Sequence, residues 1–240
     1  MLWSTARPST SSPTSRSRSI RPASGAAACS SHSAPRREPQ IKSASVSLAE
    51  RLRPAVGPGL ASYGGDWAVS AERVEKGRIL TDAAVLIAVI DRPNPTLLLT
   101  RRAAHLRRHA GQVAFPGGRI DPEDDGPVAA ALREAFEEVA LPTDRVEVVG
   151  ITDLYETGTG YSITPVLAVI PPDLPLVASP DEVAALFEVS LDHVLDPANH
   201  QRRTGEWQGR ERRFYVIAAD GHEIWGATAA MLVNLSRRLA

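Results

Sequence analysis

The sequence predicts a mixed α/β fold, on three observations. Residues 83–90 (AAVLIAVI) and 163–170 (ITPVLAVI) are apolar runs with the length and β-branched content of buried strands. Residues 127–139 carry apolar side chains at a 3.6-residue period behind a turn rich in Gly, Pro and Asp. Residues 228–239 close the chain with Met231, Leu232, Leu235 and Leu239 at helical spacing.

The remaining elements follow in order. Ser47 is an expected N-cap with Glu50 three residues on, a capping box opening a short helix over 47–52, and the Gly and Pro of residues 54–65 read as loop. The strand over 83–90 leads through Asp91-Arg92-Pro93-Asn94-Pro95 into a second over 96–101, and the two are expected to pair as a hairpin. Residues 112–115 form a strand that delivers the Gly-rich turn, with Pro116 fixing its entry. Further strands are expected over 146–155 and 163–170, flanking a loop at 156–160, with Pro171-Pro172 ending the second. Residues 183–189 are an apolar stretch, 191–195 a brief helix, and 213–218 and 223–225 two last strands, with Trp225 expected in the core.

The helix over 127–139 carries the chemistry. At 100° per residue, Val128, Leu132, Ala135, Phe136 and Val139 gather on one side, and Glu134, Glu137 and Glu138 fall within a third of the circumference opposite. Such like charges repel by a few tenths of a kcal/mol per pair, and the last two also sit near the negative end of the helix dipole. A solvated acidic face is the ordinary explanation. A hard divalent cation such as Mg²⁺ is the other, because it takes oxygen ligands and is held by one or two carboxylates together with substrate phosphates. Gly117 and Gly118 in the turn let the backbone approach a metal or phosphate closely. Arg101, Arg102, Arg107, Arg108 and His109 form a basic cluster beside that turn, suited to a polyanionic ligand since guanidinium forks bind phosphate oxygens in pairs.

Gly118, the acid Asp124 and the run Arg133-Glu134-Ala135-Phe136-Glu137-Glu138-Val139-Ala140-Leu141 resemble the Nudix box, over residues 118–141. Two departures stand out: eight residues rather than seven separate Asp124 from Arg133, and Ala140 replaces the Gly expected just past the helix. Upstream, Leu98-Leu99-Thr100, Arg102-Ala103, Arg107, Gly111 and Phe115-Pro116-Gly117-Gly118 resemble the extra signature of the bacterial coenzyme A diphosphatase branch of Nudix hydrolases. Gly160-Tyr161, Thr164-Pro165, Ile170-Pro171-Pro172-Asp173-Leu174-Pro175 and Trp225-Gly226 are similar to the same branch, so the likeness covers residues 45–240.

The resemblance implies an α/β/α sandwich with a mixed β-sheet, the catalytic helix following the Gly-rich loop. It also implies Mg²⁺- or Mn²⁺-dependent hydrolysis of the pyrophosphate of coenzyme A or acyl-coenzyme A, giving 3′,5′-ADP and 4′-phosphopantetheine or its acyl form. Glu134, Glu137 and Glu138, with the Gly117 carbonyl, would hold the metal, and Arg133 would brace the site by pairing with Asp124. Arg102, Arg107, His109, Gly111, Gly117 and Gly118 would meet the substrate, although a structural role for His109 is also open. Asp181 or Glu182 is a candidate further ligand or base, or a plain loop acid. The proton acceptor is left open between Glu134, Glu182 and a metal hydroxide. Two alternatives stand: cleavage of ADP-ribose or a dinucleotide, and a non-catalytic nucleotide sensor.

Composition bounds the rest. The 240 residues, 43% hydrophobic, allow one sizeable domain with appendages, and no apolar run is long enough to span a membrane, so a soluble protein with no membrane partner is expected. Cys29 is the single cysteine, which rules out an intramolecular disulfide. Residues 1–37 contain six Arg and no acid, and residues 1–44 are expected to be a disordered Arg/Ser/Pro-rich segment preceding a domain over 45–240. Removing those six from the 27 basic residues leaves 21 against 28 acidic ones, a formal charge of −7, which argues against a nucleic-acid partner. The acid-poor start resembles a mitochondrial or plastid transit peptide; the preferred expectation is an upstream start in a GC-rich bacterial gene and a cytoplasmic enzyme, with a homodimer left open.

Overall fold

The computed structural model describes residues 46–57, 64–70, 77–207 and 209–240. The segment expected over 1–44, Cys29 within it, and the middle of the loop expected over 54–65 lie outside the described residues. The capping box forms: Ser47 Oγ accepts from Glu50 N at 3.2 Å and Glu50 Oε2 from Ser47 N at 2.9 Å, opening α1 (Leu48–Leu52). There follow β1 (Gly64–Gly65), α2 (Asp66–Ser70), β2 (Thr81–Ile90), β3 (Thr96–Arg102), β4 (Val113–Ala114), β5 (Gly117–Arg119) and α3 (Gly126–Val139). Next come β6 (Glu147–Ile151), β7 (Tyr155–Glu156), β8 (Tyr161–Ile170), β9 (Val183–Ser190), α4 (Leu191–Leu195), β10 (Gln201–Trp207), β11 (Arg210–Ala219), β12 (His222–Trp225) and α5 (Ala227–Leu239).

Among the described residues a nine-stranded mixed sheet runs in the order β1-β7-β8-β2-β3-β4, with β5 also beside β2, β6 beside β8 and β9 beside β3. The hairpin of β2 and β3 forms through Val89 opposite Leu97 and Ile90 opposite Thr96. The main neighbour of β2 is β8, parallel and paired along its whole length from Thr81 opposite Tyr161 to Ile90 opposite Ile170. Parallel neighbours require a crossover, and α3 lies within it. Both faces of β2 are covered: Ile87 and Val89 enter one core, while Ala84, Leu86, Ala88 and Ile90 enter the other. A strand buried on both sides reads as an unbroken apolar run, which is what made it visible.

The continuous strand expected over 146–155 is two strands, β6 and β7. The break falls opposite Pro165, between Val166, which faces Ile151, and Ile163, which faces Tyr155. Proline offers no N–H to a ladder, so the partner strand is interrupted there.

On one face of the sheet α3 buries Ala130, Ala131, Ala135 and Val139. Phe136, expected on that face, is 59% exposed, because it sits at the rim of the stripe where no neighbouring element covers it. On the other face lie α5 and the antiparallel sheet β10-β11-β12, so one outer layer combines helix and sheet. Trp225, expected in the core, is 41% exposed: side chains alternate along β12, and the inward position belongs to Ile224. Trp225 instead rests on Phe214, with ring centroids 5.7 Å apart. The end of α5 is clasped by Arg238, which pairs with Asp153 where both side chains are almost wholly buried. Among the described residues no helix is long and apolar enough to cross a membrane.

Candidate active site

Two local features build the site. The first is β5, which lies against β2 with Gly117 opposite Val85 and Gly118 opposite Ala84. Gly117 has φ 155°, and a Cβ there would stand 2.4 Å from Ala84 O, so only glycine fits. A Cβ on Gly118 would stand 2.4 Å from Glu134 Oε1, which means the backbone of β5 runs directly against the carboxylates of α3. The second is the end of α3, where Ala140 takes the left-handed conformation with φ 54° and its N–H caps Ala135 O and Phe136 O. The missing Gly therefore leaves the helix stop intact, at the cost of a strained alanine.

The three glutamates of the helix occupy three environments. Glu138 is 2% exposed, wedged between helix and sheet, with Oε2 accepting from Gly117 N at 3.2 Å and Oε1 from Arg102 Nη1 at 3.3 Å. Burial pushes its carboxyl up to about 7; the Gly117 N–H and Arg102 oppose the rise, while Glu182 and Glu134 add to it. Glu134 is half-buried and also raised, by burial first, against the pull of Arg133, with Glu137 and Glu182 pushing further. Glu137 lies mostly in solvent, paired to Arg133 at 3.1 Å. The acidic front of the helix is thus not a uniform solvent face, because the Gly-rich strand folds over one edge of it.

Arg133 is the hub of the loop. Its guanidinium donates to both oxygens of Asp124 at 2.9 Å, to Arg119 O at 3.1 Å, to Glu134 Oε1 at 3.0 Å and to Glu137 Oε2 at 3.1 Å. Asp124 also accepts from Asp121 N at 2.8 Å, and these contacts, Arg133 foremost, hold its carboxyl below the usual range. The pair closes across the longer, eight-residue spacing.

The basic cluster divides. Arg102 reaches Glu138; Arg108 points to Tyr161, at 3.5 Å from its hydroxyl; Arg101 bonds His222 Nδ1 at 2.8 Å; Arg107 lies exposed. His109, at φ 57°, turns its ring to Gln112 Oε1 at 2.8 Å, and Gly111, at φ 72°, donates its N–H to Arg102 O at 3.1 Å, so these two shape the loop. The loop is tied to residues 179–183 by Ala103 N donating to Glu182 O at 2.8 Å and by His105 Nε2 against Asp181 O at 3.0 Å. That contact brings the Glu182 carboxylate within electrostatic reach of Glu134 and Glu138. Asp181 contributes its carbonyl. Two side chains not expected at the site join it: Arg119 donates to the Tyr161 hydroxyl and, with Arg108, holds that phenol below its usual range. Tyr161 belongs to the Gly160-Tyr161 pair noted for its likeness to the diphosphatase branch, but a tyrosine at the start of a strand does not by itself point to the site.

A Nudix-domain family model matches residues 80–208, and the chain belongs to that family, a class of pyrophosphohydrolases that generally use divalent metal ions. Its relatives include a protein of Escherichia coli K12 named uncharacterized Nudix hydrolase NudL, 46% identical over 157 residues that span 65% of this chain and 82% of the relative. A Shigella boydii protein of the same name matches equally. Among solved structures, the chain is similar to the Nudix hydrolase RenU of M. smegmatis, with TM-score 0.40 and 25% identity over 50% of this chain and 83% of that one. It is also similar to the NUDIX domain of Shewanella oneidensis NrtR complexed with ADP ribose, with TM-score 0.39 and 18% identity over 52% of this chain and 82% of that one.

The residues present suit a hard cation. Glu138, Glu134 and Glu182 repel one another, and the strand facing them is stripped of side chains at Gly117 and Gly118. Among the described residues no three acids, histidines or cysteines stand together at metal-binding separation; guanidinium groups engage three of the carboxylates, Arg133 taking Glu134 and Glu137, and Arg102 taking Glu138.

Proposed function

We propose that the chain hydrolyses the pyrophosphate bond of coenzyme A or its acyl derivatives, releasing 3′,5′-ADP and 4′-phosphopantetheine or the acylated product, with Mg²⁺ or Mn²⁺. The observation that carries this reading is the pair of acids Glu138 and Glu134 against the Gly117-Gly118 strand, with the exposed Glu182 within electrostatic reach, Arg102 at the edge and Arg107 and Arg108 on the loop beyond. Acids and guanidinium groups in contact suit a diphosphate bound together with its cation. Glu138, Glu134 and the Gly117 carbonyl would hold the metal, Glu182 would add a carboxylate from the opposite side, and Glu137 would stay outside, anchoring Arg133. The metal would neutralise the diphosphate and lower the pKa of a bound water.

The protein's own groups perform the remaining work. Arg133 fixes Glu134 and the loop carrying Asp124, so the acids keep their spacing. Arg102, Arg107 and Arg108 bind phosphate oxygens, and coenzyme A offers three phosphate groups to meet them. Whichever of Glu134 and Glu182 is not taken up by the metal would accept a proton from an attacking water. We also infer a cytoplasmic location, supported by the bacterial relatives and by a single cysteine that can form no internal disulfide.

The test is a panel of coenzyme A, acyl-coenzyme A, ADP-ribose and NADH with Mg²⁺ or Mn²⁺, the products identified by mass. A kcat/KM for coenzyme A or an acyl derivative well above the other two, with 3′,5′-ADP as product, is expected. A preference for ADP-ribose or NADH would overturn the substrate assignment.

A further inference from the structure

A second concentration of positive charge lies on the far face of the sheet from α3. Arg202 on β10 donates from Nε and Nη2 to the Tyr215 hydroxyl at 3.3 and 2.9 Å, and Arg237 on α5 donates from Nη2 to the same oxygen at 3.0 Å. Among the described residues neither guanidinium forms an ion pair with a carboxylate. The nearby acid Asp66 is already engaged, accepting from Tyr155 Oη at 2.7 Å and from Gly158 N at 2.6 Å. Two full positive charges therefore converge on one neutral phenol oxygen. Both guanidinium carbons also lie near the Tyr215 ring, at 5.3 and 5.9 Å from its centroid, and both arginines are exposed, so their charges are open to an anion from solvent.

The surroundings suit an anion. A cavity of about 90 Å³ opens beside the pair, with Tyr215, Asn234 and the two arginines on its polar side and Ala68, Val69 and Ala230 among its apolar walls. That is the space of roughly three waters at about 30 Å³ each, enough for one tetrahedral oxyanion. The residues lining it carry donors: the guanidinium nitrogens not spent on Tyr215, the Asn234 amide, and the Tyr215 O–H, whose oxygen accepts from both arginines and whose proton has no acceptor among the described residues. Tyr215 is itself buried, so the oxygen on which the arginines meet is fixed in place by the core. We propose that Arg202, Arg237 and Tyr215 form a phosphate-binding site separate from the acidic site of α3. The phosphate comes either from a terminal phosphomonoester on the substrate or from a free phosphate compound acting as effector.

Inorganic phosphate titrated into the full chain with EDTA present, at constant ionic strength against chloride, tests the site by isothermal calorimetry. Saturable binding is expected, weakened roughly tenfold or more in R202Q and in R237Q, since each substitution removes a charge-assisted hydrogen bond. Y215F, which keeps both charges, serves as a second probe and weakens binding less. Unchanged phosphate affinity in the R202Q/R237Q double variant, with native circular dichroism, would overturn the proposal, as would no phosphate binding to the wild-type chain. The source is read from kinetics. A raised KM in the double variant only for a substrate bearing an extra phosphomonoester indicates the substrate's own phosphate. Equal KM values, with a change in wild-type rate on adding phosphate that the double variant lacks, indicate an effector. The calorimetric readout does not depend on which diphosphate the enzyme cleaves, whereas the kinetic one needs a cleaved substrate with an extra phosphomonoester and so rests on the proposed function.

Discussion

Replacing Glu138 with Gln separates what this side chain does for folding from what it does for turnover. In the metal-free protein its carboxyl is pushed from the usual 4.5 up to about 7, chiefly by burial. An acid whose folded pKa is raised stabilises the fold fully below its unfolded value, and that contribution is lost as pH rises through 7. Between pH 5 and pH 8 the loss integrates to about 2.5 kcal/mol, from ~1.4 kcal/mol per pH unit over the part of the 4.5-to-7 window that lies above pH 5. Gln keeps the shape and the contact to Gly117 N while carrying no charge to bury. The E138Q protein in EDTA is therefore expected to be more stable than wild type at pH 8, by ~1–3 kcal/mol once the lost Arg102 pairing is set against the gain. At pH 5 the two should be nearly equal. Urea denaturation at both pH values measures this directly, and the same variant should lose most of its turnover with Mg²⁺ or Mn²⁺. A variant less stable than wild type at pH 8, or one with near-normal turnover, would refute the reasoning.

Other perturbations have equally definite outcomes. R133K keeps the charge but cannot fork onto both oxygens of Asp124 while holding Arg119 O, so kcat is expected to fall about a hundredfold through misplacement of Glu134, with a smaller change in KM, measured by steady-state kinetics. A140G relieves a left-handed alanine at the end of α3 and should raise stability by about 0.5–1 kcal/mol in thermal unfolding, with no change in kcat. D153A leaves Arg238 charged and almost wholly buried, and should cost about 3–5 kcal/mol in denaturant unfolding by loosening α5 from the sheet.

Much of this was legible in the sequence, because it rests on local rules. The capping box at Ser47 and Glu50, the buried strands β2 and β8, the glycine turn and the acidic arc of α3 all follow from residue type and period. Tertiary structure alone decided what covers each face. Helical period places Glu137 and Glu138 on one arc, but the strand through Gly117 folds over only one edge of it, so Glu138 is buried and Glu137 stays in water. Phe136 and Trp225 are exposed for the same reason: an apolar side chain enters the core only where a neighbouring element reaches it. Glu182 joins the acids because the loop at Ala103 and His105 hydrogen-bonds to its segment, a contact between residues far apart in the chain. Arg202 and Arg237 converge on Tyr215 only when β10, β11 and α5 pack together, and no pattern within any one of those elements announces it. Spacing along a chain specifies direction; burial and charge pairing are properties of what lies opposite.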